Sequence, residues 1–373
     1  MEYSKLSDLK EIKGKHILVR ADFNVPIVDG VVLDPFRIDK TMPTIDYLKK
    51  AGAKTILISH IENGDTLVPV YEYLKTKIAI SFCQDCLDDC SGIKAMKDGD
   101  VLLCENIRLY SGEKTNDADL GKRLADLADI YVNDAFSVSH RKHASVCRIP
   151  EYLPSYAGLL FDSELTHLSA SFNPPRPFLF ILAGAKFETK IPLITKFADI
   201  ADSVFVGGAL AHNFFKEEGF SVGQSLVSSG DYNLKGLISK GKIMLPSDAI
   251  VVRSGKPITI NIKDIVDTDI MYDDGPNTLE VLKNEIQKAE FVLWNGPLGN
   301  YENGYKAGTL ELAKIISESG AKSVVGGGDT LAAIAELRIE DKIGFVSTAG
   351  GAMLDFLANG TLPGLEALKN SKK

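Results

Sequence analysis

Short apolar, β-branched runs alternate along this chain with longer segments whose apolar positions recur every three to four residues. Runs of the first kind read as strands, and segments of the second kind as helices turning one face to a core. Strands are expected at 16–23 (HILVRADF), 54–59 (KTILIS), 78–82, 101–104 and 130–132, with helices over 36–51, 70–77 and 117–128. The triple-proline stretch Asn173-Pro174-Pro175-Arg176-Pro177 fits no central helix or strand, so it reads as a boundary, with 152–170 as a helix leading into it. Beyond it the rhythm restarts, with strands expected at 178–182, 203–206, 291–294, 323–325 and 343–347. A βαβα rhythm of this kind predicts an α/β fold of parallel sheets with helices on both faces. No repeat, heptad pattern or low-complexity stretch interrupts it.

Length agrees with two domains, since 373 residues at ~150 per domain leave room for two cores. Apolar residues at 45% and charged residues at 25% are ordinary for a globular chain. A net charge of −8 argues against nucleic acid as a partner, because that binding draws on phosphate neutralisation. The run FLFILAGA at 178–185 falls far short of the ~18 apolar residues of a membrane span. The opening MEYSKLSDLKEIKGK has neither an apolar core nor a cleavage site, so a cytoplasmic enzyme is the expectation. Cys83, Cys86 and Cys90 cluster at metal-like spacings, yet no second cysteine pair or nearby histidine completes a ligand set. Free thiols in a reducing compartment are the better reading.

In open parallel sheets, ligands bind beyond the carboxyl ends of the strands. Six of the nine arginines fall before residue 150, and Arg37, Arg108 and Arg141 lie in loops or helix entries. Asp22 and Asn24 end the first expected strand, and His60 ends the second. Guanidinium forks clamp phosphate or carboxylate bidentately, so this half reads as a pocket for a small polyanion. His140 and His143 flank Arg141 and suit either proton transfer or a hydrogen-bonding role.

In the second half, glycine-rich turns follow strands at Gly184, at Gly207-Gly208 and at Gly326-Gly327-Gly328-Asp329-Thr330, each opening a helical segment. Such turns bring backbone N–H groups to phosphates. Lys186 and Lys190 share one helix face, and Asp329 suits Mg²⁺, which needs only one or two carboxylates besides phosphates. Asn295-Gly296-Pro297 adds a tight loop, with Glu302 beyond it. Neither a P-loop nor a dinucleotide fingerprint is present, which disfavours a nicotinamide dehydrogenase.

At these positions the chain resembles the phosphoglycerate kinase family. The resemblance rests on RADFNVP (20–26), DPFRI (34–38), ENIRLY (105–110), SHRKHAS (139–145), GAKFETK (184–190), WNGPLG (294–299), GGGDT (326–330) and STAGGAMLDFL (347–357). It implies two Rossmann-like domains joined by a hinge helix: 1–160 plus 351–373, a linker over 161–173, and 174–350. It implies reversible phosphoryl transfer from 1,3-bisphosphoglycerate to MgADP, with Mg²⁺ as cofactor and a monomeric chain. It also implies that Asp22, Asn24, Arg37, His60, Arg108 and Arg141 hold the phosphoglycerate. Arg37 and Lys186 would act on the moving phosphoryl group, with the backbone at Gly350 and Gly351. The nucleotide would lie on Lys190, Gly207, Gly208, Asn295, Pro297, Glu302, Gly327, Gly328, Asp329 and Thr330, with Asp329 toward the metal. Both half-sites must then meet, with 152–170 and 347–348 as candidate hinges.

Three departures stand out. The family continues its strand-end histidine as His-Leu-Gly-Arg-Pro, whereas this chain reads His60-Ile61-Glu62-Asn63-Gly64-Asp65. Losing one charge-assisted bond costs ~1.5–3 kcal/mol, or roughly tenfold in affinity, so a related kinase with a different acyl-phosphate substrate is the alternative reading. Ala349 stands where the family has glycine, and it is strained if its φ is positive. The segment 253–269 reads as a shortened loop near the nucleotide.

Overall fold

The computed structural model describes residues 3–62, 65–89 and 91–372. Cys90 of the cysteine cluster and Asn63 and Gly64 of the shortened loop lie outside them. The chain forms two compact units, Met1–Thr166 with Asn359–Lys373, and His167–Ala358.

The first unit is built on a parallel sheet of six strands, in the order Ser81–Cys83, Val101–Cys104, Lys54–Ile58, His16–Arg20, Ile130–Asn133, Ser155–Ala157. Neighbouring side chains along its central strands are alike buried, among them Ile17, Leu18, Val19, Ile56, Leu57 and Ile58. Both faces are therefore covered, which is why these strands read as unbroken apolar runs. Strand ends differ from the sequence expectation where side chains take over the ladder. The first strand stops at Arg20 because the Phe23 N–H donates to Ser59 Oγ, off the ladder. The strand expected at 78–82 begins only at Ser81, since the N–H groups of Lys77 and Ile78 close the preceding helix on Leu74 O. That helix, Val68–Lys75, starts early because Pro69 suits a first turn. In the helix Ala118–Ala125, Asp117 caps the first turn by accepting from the Leu120 N–H.

The helix expected over 152–170 spans only Leu159–Ala170. Residues Ser155–Ala157 pair as an edge strand with Ile130–Asn133, and the buried Asp134 Oδ1 caps the helix start, accepting from the Leu160 N–H at 2.9 Å. A last helix, Pro363–Lys369, returns to this unit, where Gly364 N–H donates to Ser139 O at 2.9 Å and Lys372 N–H to Pro150 O at 3.0 Å.

The second unit holds a six-stranded parallel sheet ordered Ile243–Met244, Ser203–Val206, Phe178–Leu182, Phe291–Asn295, Lys322–Gly326, Phe345–Val346. Counted along the chain this is the doubly wound order, with its switch point between Phe178–Leu182 and Phe291–Asn295. The strand expected at 343–347 shrinks to Phe345–Val346 because the Gly344 N–H donates to Ser323 Oγ instead of the ladder. The segment read as a shortened loop over 253–269 contains a strand. Lys256–Asn261 pairs antiparallel with Asp248–Arg253, which pairs on its other side with Met271–Asp274. Among the described residues no helix is long and apolar enough to cross a membrane.

Candidate functional site

In the first unit, loops leaving four strands bring the expected anion-binding residues into one contact chain. Arg37 Nη1 lies 3.5 Å from Asp22 Oδ1 and donates to Asn24 O. Asn24 Oδ1 in turn accepts the Glu62 N–H at 3.1 Å. The Glu62 carboxylate pairs with Arg108 Nη1 and lies 3.5 Å from Arg141 Nη1. Arg108 is 2% exposed in its side chain, and none of its guanidinium nitrogens has a hydrogen-bond partner of good geometry. Neither carboxylate oxygen of the buried Asp22 accepts a hydrogen bond either. Unsatisfied buried polar atoms of both signs are costly in the free chain, and they suit a ligand carrying anionic groups and hydroxyls.

His60 belongs to the same cluster through Arg20, a residue that sequence reasoning left unassigned. Arg20 is fully buried, donating from Nε to Ser145 Oγ and from Nη2 to His60 Nδ1, both at 2.9 Å. Arginine has no acceptor, so His60 Nδ1 is unprotonated and its proton sits on Nε2, where it can be donated. Burial, then Arg20 and Arg108, push the His60 pKa far down and keep the ring neutral. Behind Arg20, Ser145 Oγ donates to Glu113 Oε1 at 2.6 Å, and the Ser145 N–H donates to Glu113 Oε2. Glu113 is fully buried and was likewise unforeseen. Burial and then Arg108 lower His143 to about 4, so neither His143 nor His60 holds an exchangeable positive charge at neutral pH. Arg123 and Arg148 stand apart in exposed ion pairs with Asp88 and Glu151.

The second unit carries a cleft of about 620 Å³ at the switch point of its sheet. Residues at the N-termini of four helices line it: Ala185 and Lys186 before Phe187–Ile200, Gly208 before Ala209–Glu217, Gly328 and Asp329 of Gly328–Leu337, and Gly350 and Gly351 at Gly351–Asn359. A helix terminus carries the positive end of a dipole and N–H groups beyond its own ladder, so these termini together favour a polyphosphate, although at Ala209–Glu217 the Gly208 N–H donates to Asp274 and the Leu210 N–H to Gly184 O. Asn295, Pro297, Glu302 and Gly327 line the same cleft. Gly207 and Thr330 do not; Thr330 Oγ1 supports the lining from behind, accepting the Gly296 N–H at 3.2 Å.

Lys190 is buried in the cleft wall and donates to Ala183 O. Burial lowers its pKa to about 8, against the pull of Asp329. Asp329 is itself raised, by burial first and then by Glu302. Lys186, at the entrance of its helix, is exposed. Gly296 (φ 95°) allows Lys190 its place, because a Cβ there would stand 2.2 Å from Ala183 O and 2.7 Å from Lys190 Nζ. The expected strain at Ala349 is not found: the positive φ falls on Gly350, at 55°, and Ala349 N–H donates to Ser347 Oγ.

Cys83, Cys86, Cys104 and Cys147 are free thiols. No group of three potential ligands for a metal occurs among the described residues.

A family model described as phosphoglycerate kinase matches residues 6–360. The chain is 40% identical to the phosphoglycerate kinase of Dictyoglomus turgidum over 386 residues, which cover 97% of each chain. It is also 40% identical to that of Thermosipho africanus over 400 residues, covering 100% of this chain and 99% of the relative. Among solved structures, phosphoglycerate kinase from Coxiella burnetii aligns with a TM-score of 0.87 and 34% identity, over 99% of this chain and 98% of the other.

Proposed function

The chain belongs to the phosphoglycerate kinase family, and on that footing we propose that it transfers a phosphoryl group reversibly from 1,3-bisphosphoglycerate to MgADP, giving 3-phosphoglycerate and MgATP. The reaction is that of a phosphotransferase with a carboxyl group as acceptor. The observation that carries the assignment of ligands is the contact chain Asp22–Arg37–Asn24–Glu62, in which Glu62 meets both Arg108 and Arg141, assembled around buried, unsatisfied polar atoms. That cluster takes the phosphoglycerate, with Asp22 accepting from its hydroxyl and His60 donating from Nε2.

The cleft of the second unit takes the nucleotide. The helix N-termini at Gly328 and Gly351 and the Lys190 ammonium hold its phosphates, and Glu302 takes the ribose. Asp329 suits Mg²⁺, since its carboxylate is half buried with little local compensation and the metal asks only one or two carboxylates beside phosphates. When bound, Mg²⁺ neutralises charge on the nucleotide phosphates.

A carboxylate acceptor is already anionic, so the reverse transfer needs no general base. This agrees with the lowered pKa values of His60 and His143, which make both rings weak bases. What remains is positioning and charge neutralisation of the phosphoryl oxygens, supplied by Arg37, by Lys186 and by the backbone at Gly350 and Gly351. In-line transfer requires donor and acceptor to meet with water excluded, and domain closure is the step that serves this.

We take the enzyme as a monomer, as the family resemblance implies, and as cytoplasmic. Sedimentation and fractionation check these two points. The decisive assay follows consumption of 1,3-bisphosphoglycerate by the purified chain. ADP- and Mg²⁺-dependent turnover is expected, and an inert protein overturns the proposal. The relatives named above carry one name, so the reading of an altered acyl-phosphate substrate finds no support in them.

A further inference from the structure

Taking the loop cluster of the first unit as the phosphoglycerate site, as proposed above, we infer that the Glu62 carboxylate is a resident competitor there, occupying Arg108 and Arg141 until the substrate displaces it. Arg108 is a buried cation with no other anion paired to it among the described residues. A guanidinium in such a place without a counter-charge is costly, so the free chain must supply an anion from within. Glu62 is that anion. One of its oxygens meets Arg108 Nη1 and the other lies 3.5 Å from Arg141 Nη1, so a single carboxylate spans both arginines as a substrate acid group would. Arg108 holds the Glu62 carboxyl below the usual carboxylate range, and Glu62 therefore carries full charge at neutral pH.

Its backbone is fixed while its head is free to leave. The Glu62 N–H is held by Asn24 Oδ1 at 3.1 Å, and the chain around it is pinned by Asn106, whose Nδ2 donates to Ile61 O and Asp65 O. The side chain is 44% exposed, so its carboxylate can swing toward water without breaking any of those bonds. An anionic substrate entering the pocket meets like charge unless that swing occurs. Glu62 thus opposes every anion that uses Arg108 and Arg141, and sets how strongly the substrate must bind to exchange with it.

The test is steady-state kinetics of the full-length enzyme and of Glu62→Gln and Glu62→Ala, with calorimetric binding of 3-phosphoglycerate in the absence of nucleotide. Removal of the charge should lower both the KM and the dissociation constant for 3-phosphoglycerate by about tenfold, with the KM for ATP unchanged. Glu62→Asp, which keeps the charge, should stay near the parent value. A KM for 3-phosphoglycerate that rises or stays level in both neutral variants overturns the inference, since it would mean that Glu62 aligns the arginines for the substrate or is indifferent to it. Failure of the parent enzyme to bind 3-phosphoglycerate at all removes the site assignment itself, and the two failures are told apart by that parent measurement.

Discussion

On the proposed assignment, the two half-sites handle anions by opposite means. The first unit uses side chains: Arg37, Arg108 and Arg141 come from separate elements, while Arg20 at the end of a strand, held by a buried relay of Ser145 and Glu113, supports His60. The second unit uses backbone, with helix N-termini opening around one cleft and glycine where a side chain would collide. A side-chain site gains shape from forked donors and is open to retuning by one substitution, as Glu62 illustrates. A backbone site resists such retuning, because its donors are the same in every residue, and its weak points are the glycines.

Lys186 and Lys190 are side chains that cross this division, and loss of Lys186 should have the largest effect. Lys186→Ala is expected to lower kcat by roughly 10²–10³-fold, the scale for removing one transition-state donor, with little change in Tm because the residue is exposed. Rapid-quench measurement of the transfer step checks it. An unchanged kcat would place the charge neutralisation wholly on the backbone and sharpen the contrast further.

Gly296→Ala tests the backbone site at its tightest point. A Cβ 2.2 Å from Ala183 O at a φ of 95° forces the loop to move, and the strain is about 1–3 kcal/mol. Thermal unfolding should show a lower Tm, and ATP binding should weaken, while calorimetric affinity for 3-phosphoglycerate holds. Gly219→Ala is the control, with a similar φ of 87° and nothing within 4 Å of the added carbon. It should lower Tm and leave ATP binding intact. Equal nucleotide defects in the two variants would show that strain alone, rather than crowding at Lys190, is responsible.

The smallest effect separates the half-sites by pH. Lys190 has its pKa lowered to about 8 by burial, and bound phosphates favour the charged ammonium, raising it again. Nucleotide affinity is therefore full below pH 8 and falls as pH rises past it, by at most about tenfold per unit for one proton. Arginine does not titrate in this range, so the KM for 3-phosphoglycerate should stay flat from pH 7.5 to 9.5 while the KM for ADP climbs. Parallel profiles for both substrates would break the distinction.

Much of this was legible in the chain. Strands buried on both faces announce themselves as continuous apolar runs, and ligand residues placed directly after them follow from how parallel sheets bind. Asp22, Asn24, Arg37, Arg108 and Arg141 were found in this way and do meet through a chain of contacts. Arg20 carries no role in the sequence reading, because it falls inside the strand expected over 16–23 and its partners Ser145 and His60 are far away in sequence. Glu113 sits in a charged stretch beside Lys114, which reads as surface; only the fold shows that it is fully buried. The antiparallel pairing of Asp248–Arg253 with Lys256–Asn261 did leave a signal. Ser254 and Gly255 both take positive φ in a two-residue turn between apolar runs, a pattern that marks a hairpin.

The helix Pro363–Lys369 bears on how the molecule is made. Its Gly364 N–H holds the carbonyl of Ser139, two residues before Arg141, and Lys372 closes on Pro150. During synthesis the loops of the first unit's arginine cluster are made early, but this brace follows only after the whole second unit has been translated. The first unit is therefore discontinuous in sequence and cannot be completed until the chain that interrupts it has been made, whereas the second unit is one continuous stretch.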